Sequence, residues 1–416
     1  MNKSIFIWNS IAGIINASEA VIMSILVTRV TSLSDAGVLT IAFAVGNLMM
    51  TLGKFGVRNY QVTDTHYKYD FATYFGTRIV TVIAMVLGSV GYILHHHMSA
   101  YKSKAIFAIC LIYAVESVED VFWGEFQRRK RLDLGAKVFI SRWVCILCIF
   151  TIILLKTRNM LFALWISLVV SIFIFCGILV FIWRGFNKIS SEPFYLHYGL
   201  FANRDFIFVL RENVPLFIAT FLTFYINNAA KYALDTVVSN EVQACYGFVA
   251  MPVFVIGLLN SMIYQPSVVW LTEQWNEGRI LAFKYKVYKQ FMAIIVISIL
   301  CVVGAAIIGI PVLSIVYGTE LRAYWRELVL LQVAGMFLAI SGYLNILITI
   351  MRQQRMLMYG YIIVSVLSFF CMRFAVRFYT TFGAAICYLM CMITLCVFFI
   401  TVYLRNVFKR ELRLFP

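Results

Sequence analysis

Apolar runs of roughly 20 residues recur along the whole chain, each closed by a few polar or charged positions. About 20 mostly apolar residues cross a bilayer as a helix. Twelve such runs predict spans at about 5–27, 36–53, 74–94, 105–127, 136–155, 160–183, 207–226, 243–265, 291–316, 328–351, 357–376 and 382–404. The first is too long for the apolar part of a signal peptide and is expected to remain as a span. The clearest polar connection, 184–205, separates six runs from six. It predicts an N-terminal six-helix bundle over 1–190, a cytoplasmic linker at 191–206 and a C-terminal six-helix bundle over 207–416. The expected class is an all-α polytopic membrane protein.

The halves carry traces of a repeat. Tyr67-Lys68-Tyr69 precedes the third run as Phe283-Lys284-Tyr285 precedes the ninth, and Ile79-Val80 matches Ile295-Val296 at the same offset of 216. Arg128, Arg131 and Gly135 after the fourth run are echoed by Arg352, Arg355 and Gly360 after the tenth. Internal repeats of this kind mark many transporter folds. All six prolines lie at Pro193 or later, and Pro215, Pro252 and Pro311 fall within runs, where they kink or open helices. The stretch 272–290 mixes Arg279, Lys284, Lys286 and Lys289 with aromatic residues and reads as an amphipathic segment at the membrane surface.

The fourth run differs from the others. Glu116, Glu119 and Asp120 stand within it, and positions i, i+3 and i+4 share one helix face. Glu116 precedes the basic block at Arg128 by 12 residues, which places it about 18 Å into a core about 30 Å thick. Three like charges at that depth need protons or basic partners. Other charges within or beside runs are Glu19 in the first, Arg78 opening the third, Arg142 in the fifth, Arg211 in the seventh and Lys231 just past it, after Asn227 and Asn228. They read either as ion pairs that hold helices together or as the lining of a polar cavity. In a cavity, basic groups suit an anionic headgroup and carboxylates suit a proton or cation.

Composition removes the soluble alternatives. The chain of 416 residues is 62% hydrophobic and only 13% charged, far from an ordinary soluble domain. Its net charge of +16 would suggest nucleic acid in a soluble protein, but here it reads as cytoplasmic loops and lipid headgroups, with no nucleic-acid partner. Basic residues are biased: 22 lie at the termini and even-numbered connections, against 10 at the odd-numbered ones. The bias predicts both termini in the cytoplasm. Cys145 and Cys148 have C-x-x-C spacing mid-helix, and His95, His96 and His97 end a run; neither set makes a metal site. Nucleotide-binding and hydrolase signatures are missing, and the outward connections are short, about 5–17 residues. No catalytic residue, cofactor or metal is expected.

Several stretches resemble bacterial polysaccharide-unit flippases, a family of the multidrug, oligosaccharidyl-lipid and polysaccharide exporter superfamily. They are WNSIAG from Trp8, AGVLTIAFA from Ala36, GKFGVRNYQVTD from Gly53, EDVFWGEFQRRKRLD from Glu119 and NNAAKYALD from Asn227. The resemblance implies two six-helix bundles in a V about a pseudo-two-fold axis, in the bacterial cytoplasmic membrane. It implies flipping of undecaprenyl-pyrophosphate-linked oligosaccharide units for capsule, O-antigen or exopolysaccharide assembly, by alternating access. Candidate pyrophosphate and glycan contacts are Arg58, Arg78, Arg142, Arg211, Asn227, Asn228 and Lys231. Candidate ion-coupling residues are Glu19, Glu116, Glu119 and Asp120, with a proton or sodium ion. Membrane lipids, glycosyltransferases and a polysaccharide polymerase are the implied partners. The alternatives are a cation-coupled multidrug exporter of the same superfamily and a membrane-integral glycan polymerase or glycosyltransferase. The topology is testable by labelling: a cysteine replacing Lys130 is expected to resist an impermeant thiol reagent in intact cells and to react after lysis. Labelling of intact cells at that position would invert the assignment.

Overall fold

The structure, a computed structural model, describes residues 3–64, 68–189 and 205–414, and these contain helices and no strands. In chain order the helices are α1 (Lys3–Val30), α2 (Leu33–Lys54), α3 (Val57–Thr63), α4 (Phe71–His95), α5 (Ala100–Arg128), α6 (Leu132–Thr157) and α7 (Met160–Ile189). Then follow α8 (Asp205–Leu234), α9 (Asn240–Ala250), α10 (Pro252–Tyr264), α11 (Val268–Asn276), α12 (Ile280–Gly304) and α13 (Ile310–Tyr317). The chain ends in α14 (Trp325–Ile350) and α15 (Gln354–Leu414). Ten helical stretches among the described residues are long and apolar enough to cross a membrane. α5 is also long enough, at 29 residues, but its acids make it too polar to qualify by composition. α15 is interrupted at Thr380, whose φ of 48° and ψ of −127° are non-helical. The protein is a multi-pass membrane protein.

Most helices overrun the apolar stretches that predict them. Backbone hydrogen bonding continues into the interface until a cap satisfies the free amides. Ser32, Asp70 and Ser99 supply such caps, their side chains accepting from the amides of Asp35, Thr73 and Lys102. Two expectations change as a result. Lys231, Asn227 and Asn228 lie within α8, not beyond a span, because the helix runs on past the point where its apolar character ends. The stretch 272–290 is not a single surface segment: α11 stops at Asn276, and 280–290 forms the opening turns of α12. Prolines mark the breaks in this half. Pro252 opens α10, and a π-helical segment at Ala305–Gly309 precedes Pro311.

The described residues form two compact units, Met1–Phe224 and Tyr225–Pro416, so the division falls within α8. Residues 190–204, which hold most of the expected linker, lie outside the described residues, as does Tyr67 of the repeat. The first two-thirds of α8 packs on the N-terminal unit: Phe217 stacks on Phe55 with ring centroids 4.3 Å apart, and Val209 joins the cluster around Tyr74, Phe122 and Phe126.

The N-terminal unit is built on α2 and α5. Within the apolar stretch of α2, 89% of positions are buried, against 22% for α7, so α2 is interior and α7 faces outward. Small residues allow α2 and α5 to approach. A Cβ at Gly46 would stand 2.7 Å from Ile109 Cγ2 and 2.9 Å from Tyr113 Cδ2, and Gly53, seven residues on, faces Ser117 in the same way. In the C-terminal unit α14 holds the central place, packed on α10, α12 and α15. Tyr343 donates to Gln290 Oε1 at 2.6 Å, and Thr381 donates to Glu327 Oε1 at 2.8 Å.

The close approach at Gly46 carries a prediction. Gly46→Val is expected to destabilise the protein by about 1–3 kcal/mol through overpacking, read as a lowered thermal unfolding midpoint in detergent. Gly91→Ala, where nothing lies within 4 Å, serves as the neutral comparison. Equal midpoints would show that α2 and α5 can part freely.

Candidate functional site

The acids of α5 converge on one face, and bases from four neighbouring elements meet them. Lys54, the last residue of α2, donates to Glu116 Oε1 at 2.9 Å. Arg142 of α6 donates to Glu116 Oε2 at 3.1 Å and to Glu119 Oε2 at 2.5 Å, and Trp143 adds an indole N–H to Glu116 Oε2 at 3.0 Å. Asp120 is held by two arginines: Arg58 of α3 at 3.2 Å and Arg78 of α4 at 2.8 Å. Arg78 also donates to the Gly53 carbonyl at 2.6 Å, tying α4 to α2.

The turn between α2 and α3 sets the two outer bases. Phe55 has φ 44° and Gly56 φ 70°, two successive left-handed residues that end α2 and start α3. Glycine takes such a conformation without steric cost, and a Cβ at position 56 would also stand 2.9 Å from Leu216 Cδ2. The turn leaves Lys54 and Arg58 on neighbouring elements that both face α5. Arg58 lies over the Trp123 ring at 4.5 Å and donates to Gln127 Oε1 at 2.8 Å.

These groups border a cavity of about 270 Å³ within the N-terminal unit. Its walls carry Asn9, Asn16 and Gly13 of α1, with Lys54, Arg58, Glu116, Glu119, Asp120, Trp123 and Phe139. Arg78 and Arg142 are fully buried behind it. Four bases and three acids therefore share one knot, and a carboxylate taken so far from bulk water is tolerated only with such partners. The knot is not saturated: Glu119 Oε1 is buried with no hydrogen-bond partner among the described residues. Glu19 of α1 lies outside the cavity walls. It is 4% exposed, accepts from the Tyr113 hydroxyl at 2.9 Å, and leaves Oε2 without a partner among the described residues.

The polar end of α5 is clasped separately. Glu125 accepts from Arg129 at 2.8 Å and from Gln61 at 3.0 Å, and Arg128 donates to the carbonyls of Asp64 and Tyr69. Burial alone would push the Asp64 carboxyl up. The amides of Lys68 and Tyr69, the Tyr74 hydroxyl and Arg128 outweigh it and hold that carboxyl below its ordinary range. This clasp contributes fully above the ordinary carboxylate range and weakens as pH falls through the lowered value.

The remaining candidates stand elsewhere. Arg211 is exposed on α8, with no ion-pair partner among the described residues, and is not part of the knot. Asn227, Asn228 and Lys231 belong to the C-terminal unit. There Tyr388 donates to Asn227 Oδ1 at 3.5 Å and Gln243 to the Lys231 carbonyl at 3.0 Å. The Lys231 ammonium is half-buried with no hydrogen-bond or ion-pair partner among the described residues. Sequence reasoning missed Lys54, Trp143, Trp123 and Tyr113. Lys54 carried a signal: it stands four residues before Arg58 in a glycine-broken stretch. No group of three or more His, Cys, Asp or Glu residues is placed to hold a metal ion among the described residues.

No protein-family model matches this chain, and no curated protein sequence matches it. Solved structures do. The lipid II flippase MurJ in an inward closed conformation superposes with a TM-score of 0.71 at 12% identity, over 97% of this chain and 89% of that one. The MATE multidrug transporter DinF-BH gives 0.69 at 12% identity, over 98% and 97%. An inward-facing multidrug resistance MATE family transporter of the MOP superfamily gives 0.67 at 11% identity, over 95% and 94%. The chain has the fold of MOP-superfamily transporters. At such identities the likeness concerns the fold alone.

The knot separates two kinds of arginine. Arg142→Gln removes the base of Glu119 and one of the bases of Glu116, and is expected to cost about 3–5 kcal/mol, the penalty of a broken buried pair. Arg211→Gln, at an exposed position, is expected to stay within about 0.5 kcal/mol. Thermal unfolding of the two purified variants beside the parent protein reads both. A parent-like midpoint for Arg142→Gln would mean that α5 does not need this base.

Proposed function

We propose that the chain is a flippase that moves undecaprenyl-pyrophosphate-linked oligosaccharide units across the bacterial cytoplasmic membrane for surface polysaccharide assembly. Counting α5 and dividing α15 at Thr380 brings the spans to twelve, six of them before the 184–205 connection. An even number puts both termini on one side, and the bias of basic residues supports the cytoplasm as that side. The observation that carries the reading is the polar, charge-lined cavity inside a membrane unit, where Lys54 and Arg58 stand on the wall of a knot that holds four bases against three acids.

A diphosphate and a glycan cannot cross hydrocarbon without replacing the water they lose. Arg58, stacked on Trp123 and partly exposed on the cavity wall, can offer its planar fork to phosphate oxygens. Lys54 beside it offers a second charge, and Asn9 and Asn16 offer amides that suit sugar hydroxyls. Arg78 and Arg142, fully buried, act on substrate only through the acids they hold. In the C-terminal unit Lys231 offers an uncommitted ammonium beside Asn227 and Asn228. Alternating access between halves of a repeat is the mode of movement the reading implies. Glycosyltransferases would supply the substrate and a polymerase would consume it.

A second reading, a cation-coupled multidrug exporter, is favoured by Glu19 and Glu119, each of which leaves one buried carboxylate oxygen unpartnered. The two readings join if those oxygens carry a proton or sodium ion that drives flipping. A polymerase or glycosyltransferase is less favoured, because each carboxylate of the cavity is engaged by a base.

Proteoliposomes holding a fluorescent undecaprenyl-pyrophosphate oligosaccharide test the proposal. The parent protein is expected to make the inner-leaflet lipid accessible outside. Arg58→Gln is expected to slow this about tenfold or more, the loss of a hydrogen bond to a charged group, while Arg58→Lys recovers part of it. Absence of flipping by the parent protein, with ion-driven efflux of a cationic dye, would establish the exporter instead.

A further inference from the structure

A separate cavity, of about 310 Å³, lies at the start of α14 in the C-terminal unit. Its walls come from two stretches. Arg322, Ala323, Trp325, Arg326 and Glu327 surround the first turn of α14, and Phe382 stands just past the interruption of α15 at Thr380. The stretches are tied together, since Thr381 donates to Glu327 Oε1 at 2.8 Å. The volume is at the low end for small-molecule sites and takes about one sugar ring, not a glycan chain.

Three groups on the walls are fixed in place yet keep capacity to spare. Trp325 is held by its indole N–H, which donates at 2.9 Å to the carbonyl of Ala306 in the π-helical segment. Its ring is nonetheless 47% exposed. Glu327 is 6% exposed, and only its Oε1 is engaged; Oε2 has no partner among the described residues. Arg322 reaches Glu320 Oε1 at 3.6 Å, whereas Arg326 is exposed and has no ion-pair or hydrogen-bond partner among the described residues. A buried acceptor left without a donor is costly, and a ligand hydroxyl removes that cost. An exposed aromatic ring takes the C–H face of a pyranose, and a free guanidinium fork takes a carboxylate. One kind of molecule carries all three features: an acidic sugar. A phospholipid headgroup could engage Arg326 but offers no pyranose face to Trp325.

We propose that this cavity binds a hexuronate residue, with its carboxylate at Arg326, its ring on Trp325 and a hydroxyl donating to Glu327 Oε2. The cavity stands at the opposite end of α14 from Arg352 and Arg355, about 39 Å along the helix. In the twelve-span topology proposed above, that end faces outside the cell. There the site holds an acidic residue of a glycan that has already crossed. The binding itself depends neither on the topology nor on flipping, and it is separate from the cavity of the N-terminal unit.

The test is saturation-transfer NMR on the purified full-length protein in detergent, with a disaccharide of glucuronate and glucose as the probe. The parent protein is expected to bind it, with the strongest transfer to the ring protons of the glucuronate. The neutral disaccharide of two glucoses is expected to bind about tenfold more weakly, the loss of a hydrogen bond to a charged group. Arg326→Gln, at an exposed position that tolerates substitution, is expected to lose the same factor for the acidic probe and to leave the neutral one unchanged. Glu327→Gln can still accept from Thr381 but replaces the free oxygen with an amide donor, so both probes are expected to weaken. The proposal is overturned if the parent protein binds neither probe, if the two bind alike, or if Arg326→Gln keeps the preference for the acidic one. Unchanged binding of both probes by Glu327→Gln also overturns it. So does displacement of the acidic probe by glycerol phosphate at equal concentration, which would make the cavity a lipid-headgroup site. A protein that binds the acidic sugar without flipping the lipid-linked oligosaccharide would lose the flippase reading and keep this site.

Discussion

Removing a carboxylate from water inside a membrane costs several kcal/mol unless a base takes the place of that water. α5 buries three carboxylates within about one turn, and the architecture of the N-terminal unit follows from their needs. α2 must end at Lys54, α3 must present Arg58, and α4 and α6 must bring Arg78 and Arg142 to the same level. The double left-handed turn at Phe55 and Gly56 and the close α2–α5 approach at Gly46 and Gly53 serve that convergence. Apolar packing fills the rest.

The acidic face of α5 was legible in the sequence because helical periodicity is local: residues 116, 119 and 120 must point together if the run is helical. The partners were not, because pairing depends on which helices become neighbours. Arg78, Arg142 and Arg58 were visible as charges near spans, but a guanidinium held by a carboxylate and one left for a phosphate look alike in a sequence. Lys54 read as a loop charge, since its apolar run ends one residue before it. The helix ends were blurred for a similar reason. Apolar character stops at the hydrocarbon edge, whereas α8 and α12 carry their hydrogen bonds beyond it and so take in Lys231 and the basic stretch after Arg279. The interruption between the last two runs was anticipated between 376 and 382, and Thr380 lies there.

The fold is shared with a lipid II flippase and with multidrug transporters, so architecture does not select a substrate. In the proposed reading selection rests on side chains at the cavity: the arginine stacked on Trp123, the lysine beside it and the amides of α1. These suit a phosphorylated, hydroxyl-rich head better than an apolar cation. The partly unpartnered carboxylates of Glu19 and Glu119 are the feature that an ion could use.

The ion-pair knot also has an electrical consequence. With four bases and three acids bound to one another, any motion that carries the knot through the membrane field displaces about one net elementary charge. The membrane potential does about 2.3 kcal/mol of work on one charge per 100 mV. Unpaired, the same four arginine and lysine groups would couple to the field about four times as strongly and be pulled toward the negative side. Pairing therefore lets a membrane unit keep a dense set of charges while its conformational balance responds to voltage as one charge would and not as four.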